Sequence, residues 1–176
     1  GFIAALRNRI PSDFPKVDLK IVNAGMASTD SGWGAKRIDR DVLEYNPDLV
    51  FVEFAVNDGD RNSVPDMERI VRKIHGANPD TEIVFLYTTS DSAFKKLLKG
   101  RIPHAIAEHE KVAGHYGIPS VILGSDLASK FQSGEWKWDN FSADACHPTK
   151  EGYASYSRDL LVAWSELLKT KRADHL

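Results

Sequence analysis

Near the carboxyl end, Asp144-Ala145-Cys146-His147-Pro148 sets a carboxylate three residues ahead of an imidazole, in a segment bounded by Pro148. That spacing lets the carboxylate fold back onto the ring in a tight loop. One ring nitrogen is then held so that the other faces a nucleophile, and the imidazolium formed by proton transfer is stabilised. Taken alone, an Asp-x-x-His is more often an aspartate capping a turn beside a surface histidine. Asn57, straight after the run Leu49-Val50-Phe51-Val52-Glu53-Phe54, can aim an amide N–H at an anionic oxygen. By itself, Asn57-Asp58-Gly59 is more often a turn. Gly25 can offer a backbone N–H to the same oxygen, or only supply a positive φ. A base, its orienting carboxylate and an oxyanion donor are legible, but the group they would activate is not. Ser28 and Ser31 lie in the loop of Gly25, and Ser90 and Ser92 have no glycine-rich elbow around them.

Trp136 and Trp138, with Phe131 and Phe141, crowd the segment before Asp144. They are equally readable as a wall of a substrate cleft for acyl chains or sugar faces and as loop packing. Trp33, between Gly32 and Gly34, has the same two readings. His104 and His109 are five apart, so they do not share a helical face as a metal pair would, and a solvated helix is expected there. The loop from Gly25 to Gly34 lacks Gly-x-Gly-x-x-Gly and the P-loop lysine, which disfavours nucleotide binding. Cys146, the single cysteine, forms no internal disulfide and fits no zinc spacing, so neither a disulfide scaffold nor a thiolate metal cluster is expected. No cofactor and no metal are expected.

These residues need elements to place them. β-rich runs alternate with helical ones, the arrangement of a parallel sheet with helices on both faces. A helix is expected from Gly1 to Ile10, ended by Pro11, then a strand over Val17 to Val22 and a helix carrying Ile38, Val42 and Tyr45. Leu49 to Phe54 reads as a strand buried on both faces. Met67, Ile70, Val71 and Ile74, at i, i+3, i+4 and i+7, mark a helix with one buried face. Ile83 to Tyr87 is the next strand, Ser92 to His115 a helix divided at Gly100 and Pro103, and Val121 to Leu123 a short strand. Tyr153, Tyr156, Leu160, Trp164 and Leu167 line a closing helix. Ligands in such sheets bind at the carboxyl ends of the strands, where Asn23 to Ser31 and Val56 to Asp60 fall.

The chain has 176 residues, 42% of them hydrophobic, enough for one domain (residues 1–176) with a substantial core. Its 23 basic residues nearly cancel its 25 acidic ones, so no positive surplus is available for a phosphate backbone, and nucleic acid is not an expected partner. No run approaches the roughly 18 apolar residues of a membrane span.

Asn23-Ala24-Gly25-Met26-Ala27-Ser28-Thr29, Ala55-Val56-Asn57-Asp58, and Asp144-Ala145-Cys146-His147-Pro148 followed by Glu151-Gly152-Tyr153 resemble, in order and spacing, the second, third and fifth sequence blocks of the SGNH, or GDSL-type, hydrolases. The resemblance covers nearly the whole chain. It implies an α/β three-layer sandwich, a mainly parallel sheet flanked by helices in the flavodoxin-like manner. It also implies hydrolysis of a small acyl or acetyl ester, carbohydrate esters among the candidates, through a serine acyl-enzyme. His147 would be the base, Asp144 its orienter, Gly25 and Asn57 oxyanion donors, and Trp136 and Trp138 substrate-binding residues. Two departures stand out. Nothing matches the first block, Gly-Asp-Ser, which with its strand is expected ahead of Gly1, and Ala55 stands where the family usually has glycine. The rival expectation is a non-catalytic binding domain that keeps the cleft and has lost the serine.

Overall fold

The computed structural model describes residues 2–173. Its helices and strands are, in chain order, α1 (Ala4–Asp13), α2 (Ser31–Asp41), β1 (Leu49–Val52), α3 (Ala55–Asp58), α4 (Val64–Ala77), β2 (Glu82–Tyr87), α5 (Asp91–Leu97), α6 (His104–Tyr116), β3 (Ser120–Ile122), α7 (Leu127–Gln132), α8 (Trp138–Phe141) and α9 (Lys150–Ala173). The fold is α/β, with three parallel strands in one open sheet, ordered β1-β2-β3 and flanked by helices. Contacts group the chain into two compact units, one from Val22 to Ser120 and one made of the residues up to Ile21 with those from Val121 onward.

In the Val22–Ser120 unit, β1 and β2 run parallel in the register Leu49 to Glu82 through Val52 to Phe85. β2 is the middle strand and is buried on both faces: Ile83, Phe85 and Tyr87 point to one side, Val84 and Leu86 to the other. β1 is only half-buried over most of its length, because it stands at the end of the strand order. Met67, Ile70, Val71 and Ile74 of α4 are buried as their spacing predicts, in one cluster with Ala35 and Ile38 of α2, Phe85 and Tyr87 of β2, and Val112 and Ala113 of α6. Each Val, Ile, Phe or Met side chain among them contributes about 1.5–3 kcal/mol relative to leaving it exposed. The long segment after β2 divides as expected: α5 ends at Leu97, Gly100 takes φ +67°, and Pro103 stands just ahead of α6.

Two local expectations fail. Val17 to Val22 forms no strand, although its sequence alternates. A strand exists only where a neighbour completes its ladder, and Val17 and Val22 are exposed. Pro11 does not end α1, which continues to Asp13 and closes through a bond from Phe14 N–H to the Ile10 carbonyl at 2.8 Å.

In the other unit, α9 packs on α1 and α8. Leu6, Phe141, Tyr156 and Leu160 are buried there, and Trp164 Nε1–H donates to Asp13 at 3.0 Å. Phe141 and Tyr156 rings lie 5.5 Å apart, seating the α8 end of the loop that carries Asp144 and His147.

Candidate active site

Residues 142–149 join α8 to α9, and the loop is tied at its neck. Ser142 and Pro148 form an antiparallel bridge, and Thr149 N–H donates to the Phe141 carbonyl at 2.7 Å. Inside the neck, the buried Ser142 hydroxyl lies 2.8 Å from the His147 carbonyl and 3.0 Å from that of Asp144. Asp144 Oδ1 accepts the backbone N–H groups of Cys146 and His147, each at 2.8 Å. That leaves Oδ2 for the imidazole, 2.8 Å from Nδ1. The Cys146 N–H, then the His147 N–H and the ring, hold the Asp144 carboxyl well below the usual carboxylate range. An ionised carboxylate on Nδ1 favours the proton on that nitrogen and leaves the lone pair on Nε2. The His147 side chain is 79% exposed, and among the described residues Nε2 has no hydrogen-bond partner. The loop therefore presents an oriented proton acceptor.

In the Val22–Ser120 unit, Asn57 lies in α3, a short helix where a turn was expected. Asn57 Nδ2 donates to the Thr29 carbonyl at 2.8 Å, fastening the loop of Gly25 to the end of β1 and leaving its second amide hydrogen for another acceptor. Gly25 is exposed, has no positive φ, and donates its N–H to Asn23 Oδ1 at 3.0 Å.

Beneath Asn57 lies a polar network that the spacing of residues did not reveal. Asp58 is buried: Oδ1 accepts from the Ser31 N–H (2.9 Å), the Ser31 hydroxyl (3.0 Å) and Arg61 (3.1 Å), while Oδ2 meets His109 Nε2 at 2.8 Å. Burial pushes the Asp58 carboxyl up, but His109 and Ser31 outweigh it and hold it below its ordinary value. The expectation of a solvated helix at His109 is thus corrected: the ring is buried against Phe85 and Tyr87. The signal was available, since His109 falls on the same helical stripe as Ala105, Ile106, Val112 and Ala113, all buried. Glu53, at the end of β1, accepts from the Thr88 hydroxyl at 2.8 Å and the Ala55 N–H at 3.1 Å; burial pushes its carboxyl up.

The GDSL-like lipase/acylhydrolase family model matches residues 4–155. The chain belongs to that family. Solved structures share the fold of this GDSL-like chain at low identity. A two-domain esterase active on acetylated mannans, crystallised with mannopentaose, superposes with a TM-score of 0.80 at 23% identity, covering 94% of this chain and 43% of that one. The GDSL-like chain thus spans less than half the length of that esterase. A lipase/acylhydrolase from Enterococcus faecalis gives 0.62 at 18% identity, covering 92% and 83%. An acetyl xylan esterase from Geobacillus stearothermophilus gives 0.66 at 16%, covering 92% and 79%. No curated protein sequence matches.

Several serines of the GDSL-like chain are occupied away from His147. Ser31 is buried on Asp58, Ser90 accepts from the Ala93 N–H at the start of α5, and Ser142 serves the loop carbonyls. Ser28 is exposed in a turn with φ +58°. Among the described residues, no serine hydroxyl is hydrogen-bonded to the His147 ring. Trp138 donates its indole N–H to the Asp144 carbonyl and packs edge-on against Phe141 at 5.1 Å, so it buttresses the loop. Trp136 lines an open groove of about 240 Å3 with Asp139, Asn140, Thr149 and Glu151, and Lys130 Nζ stands 4.3 Å from its ring centre. A larger depression along α4 is bounded by Pro65, Glu68, Arg69, Arg72 and Lys73 of that one helix, and lacks convergent groups. For a metal, the donor atoms of Asp144, Cys146 and His147 lie within 4.8 Å of one another.

Proposed function

We propose that this chain carries the base and the oxyanion donors of a serine ester hydrolase acting on small acyl or acetyl esters, those of carbohydrates included. The observation that supports it is the Asp144–His147 pair, bonded at 2.8 Å with Nε2 left open, on a loop tied at both ends. In this reading a serine hydroxyl attacks the ester carbonyl and passes its proton to His147 Nε2. Asp144 stabilises the imidazolium, which then protonates the leaving alcohol. Asn57 directs its second amide hydrogen at the developing oxyanion, and the Gly25 N–H joins it after leaving Asn23. The groove at Trp136 suits a sugar ring, an aromatic face bordered by carboxylates, an amide and a hydroxyl. The acetylated-mannan and acetyl-xylan esterases among the structural neighbours agree with that substrate class.

The nucleophile is proposed to come from a Gly-Asp-Ser segment ahead of Gly1. The test compares this chain with a longer one bearing that segment, using p-nitrophenyl acetate and an acetylated oligosaccharide. The longer chain is expected to hydrolyse both and the present chain neither. In the longer chain, His147→Ala is expected to lower kcat by about a thousandfold or more, and Asn57→Ala by about a hundredfold or more. An inert longer chain that still binds the oligosaccharide would overturn the hydrolase reading in favour of a binding domain.

A further inference from the structure

The loop that holds His147 also brings together three side chains of different donor type. Cys146 Sγ lies 3.6 Å from His147 Nδ1, and Asp144 Oδ2 lies 2.8 Å from the same nitrogen. Two ligands at tetrahedral angles on one zinc, with Zn–S of about 2.3 Å and Zn–N of about 2.05 Å, stand about 3.6 Å apart. The sulfur and the nitrogen already have that separation. The carboxylate oxygen is nearer to nitrogen than two zinc ligands are, by about half an ångström. A small rotation of the His147 ring, which is 79% exposed, opens it.

The tripod is braced as metal sites are braced. Asp144 Oδ1 is fixed by two backbone N–H groups, so Oδ2 has one place to be. The Ser142 hydroxyl meets the carbonyls of both Asp144 and His147. A thiol, an imidazole and one carboxylate oxygen form a donor set that favours zinc and its softer relatives over magnesium or calcium.

We propose that Asp144, Cys146 and His147 form a three-ligand site for a thiophilic divalent cation of the zinc or cadmium class, with water completing the coordination. The ion forms bonds to Sγ, Nδ1 and Oδ2; the thiol proton passes to solvent, and the ring exchanges its proton on Nδ1 for one on Nε2, so the ligating imidazole stays neutral. Binding itself does not rest on the hydrolase reading, but its consequence does. With the ion on Nδ1, Asp144 no longer orients the ring by a hydrogen bond, so the cation switches the base off.

The test titrates Cd2+ into the present chain and follows the ultraviolet thiolate-to-cadmium charge-transfer band, with Zn2+ calorimetry alongside. One ion per chain is expected, with no band in Cys146→Ser. Asp144→Asn keeps an oxygen for the two backbone N–H groups and removes the ligating one, so the turn survives; circular dichroism checks this. Outer-shell partners alone are worth about ten- to a hundredfold in metal affinity, so Asp144→Asn and His147→Ala are each expected to weaken binding by at least about tenfold. Absence of the band in the unaltered chain overturns the site. A band of unchanged affinity in both variants also overturns it, since that describes a cysteine acting alone. If cadmium binds as stated while the longer serine-bearing chain hydrolyses no ester, the metal site stands and the hydrolase reading falls.

Discussion

Asp58 and Asn57 are adjacent, and their side chains do opposite things. Asn57 is exposed and tied to Thr29, whereas Asp58 turns inward to His109, Ser31 and Arg61. The buried aspartate therefore anchors the residue proposed to face the substrate. Leaving a buried carboxylate short of one hydrogen-bond donor costs about 1–3 kcal/mol, and Ser31 and Arg61 stay on Asp58 when His109 is removed. His109→Ala is accordingly expected to destabilise the chain by an amount in that range, read from urea unfolding. His109→Gln, which returns an N–H donor of similar reach, is expected to recover a good part of the loss. Equal stability in the two variants would show that the imidazole serves packing against Phe85 and Tyr87 rather than the carboxylate.

At the scale of elements, the loop of residues 142–149 depends on how closely α9 approaches α8. Gly152, in the first turn of α9, sits so near Phe141 that an added Cβ would overlap its carbonyl oxygen and stand 2.9 Å from Pro148 Cβ. Alanine is the better helix former by about 1 kcal/mol, yet overpacking costs about 1–3 kcal/mol. Gly152→Ala is expected to lower the unfolding midpoint and to displace the loop. In the longer serine-bearing chain it is expected to lower kcat and raise KM together, since the displaced segment carries His147 and, through Thr149 and Glu151, part of the groove at Trp136. An unchanged midpoint would mean that α9 shifts freely at this contact.

For the whole molecule, acid is the revealing variable. Asp41, beside Arg40 and Arg37, is held at about 2. Asp126, despite its partial burial, is held at about 2 by Lys130, Ser155 and Arg158. Asp58 and Asp144 are lowered as well. A carboxyl whose folded value lies below its unfolded one stabilises the fold above the unfolded value, and that contribution is lost as pH falls through the folded one. Stability is therefore expected to decline from the ordinary carboxyl value of 3.8 down to about 2. Glu53 acts in the opposite sense, because its folded value is raised: its burial costs stability as pH rises above its ordinary 4.5. Urea midpoints across pH 2 to 7 check both limbs, with Asp126→Asn expected to flatten the acid limb and Glu53→Gln the other.

The α4 stripe and the middle strand were legible in the sequence, because period and composition are local properties and α4 and β2 obey them over several turns or residues. The Asp144–His147 bond was legible for the same reason, its three-residue spacing closing one turn. Family membership followed from three short blocks in order. Tertiary structure decided what depends on neighbours distant in sequence. Val17 to Val22 has a strand's alternation, yet alternation alone makes no ladder, and the run forms no strand. Asp58 and His109 are 51 residues apart, and only the packing of α3 against α6 turns an ordinary turn aspartate and a helical histidine into a buried pair. Local periodicity fixes which face of an element is apolar; which polar group is buried on that face depends on a partner that packing alone supplies.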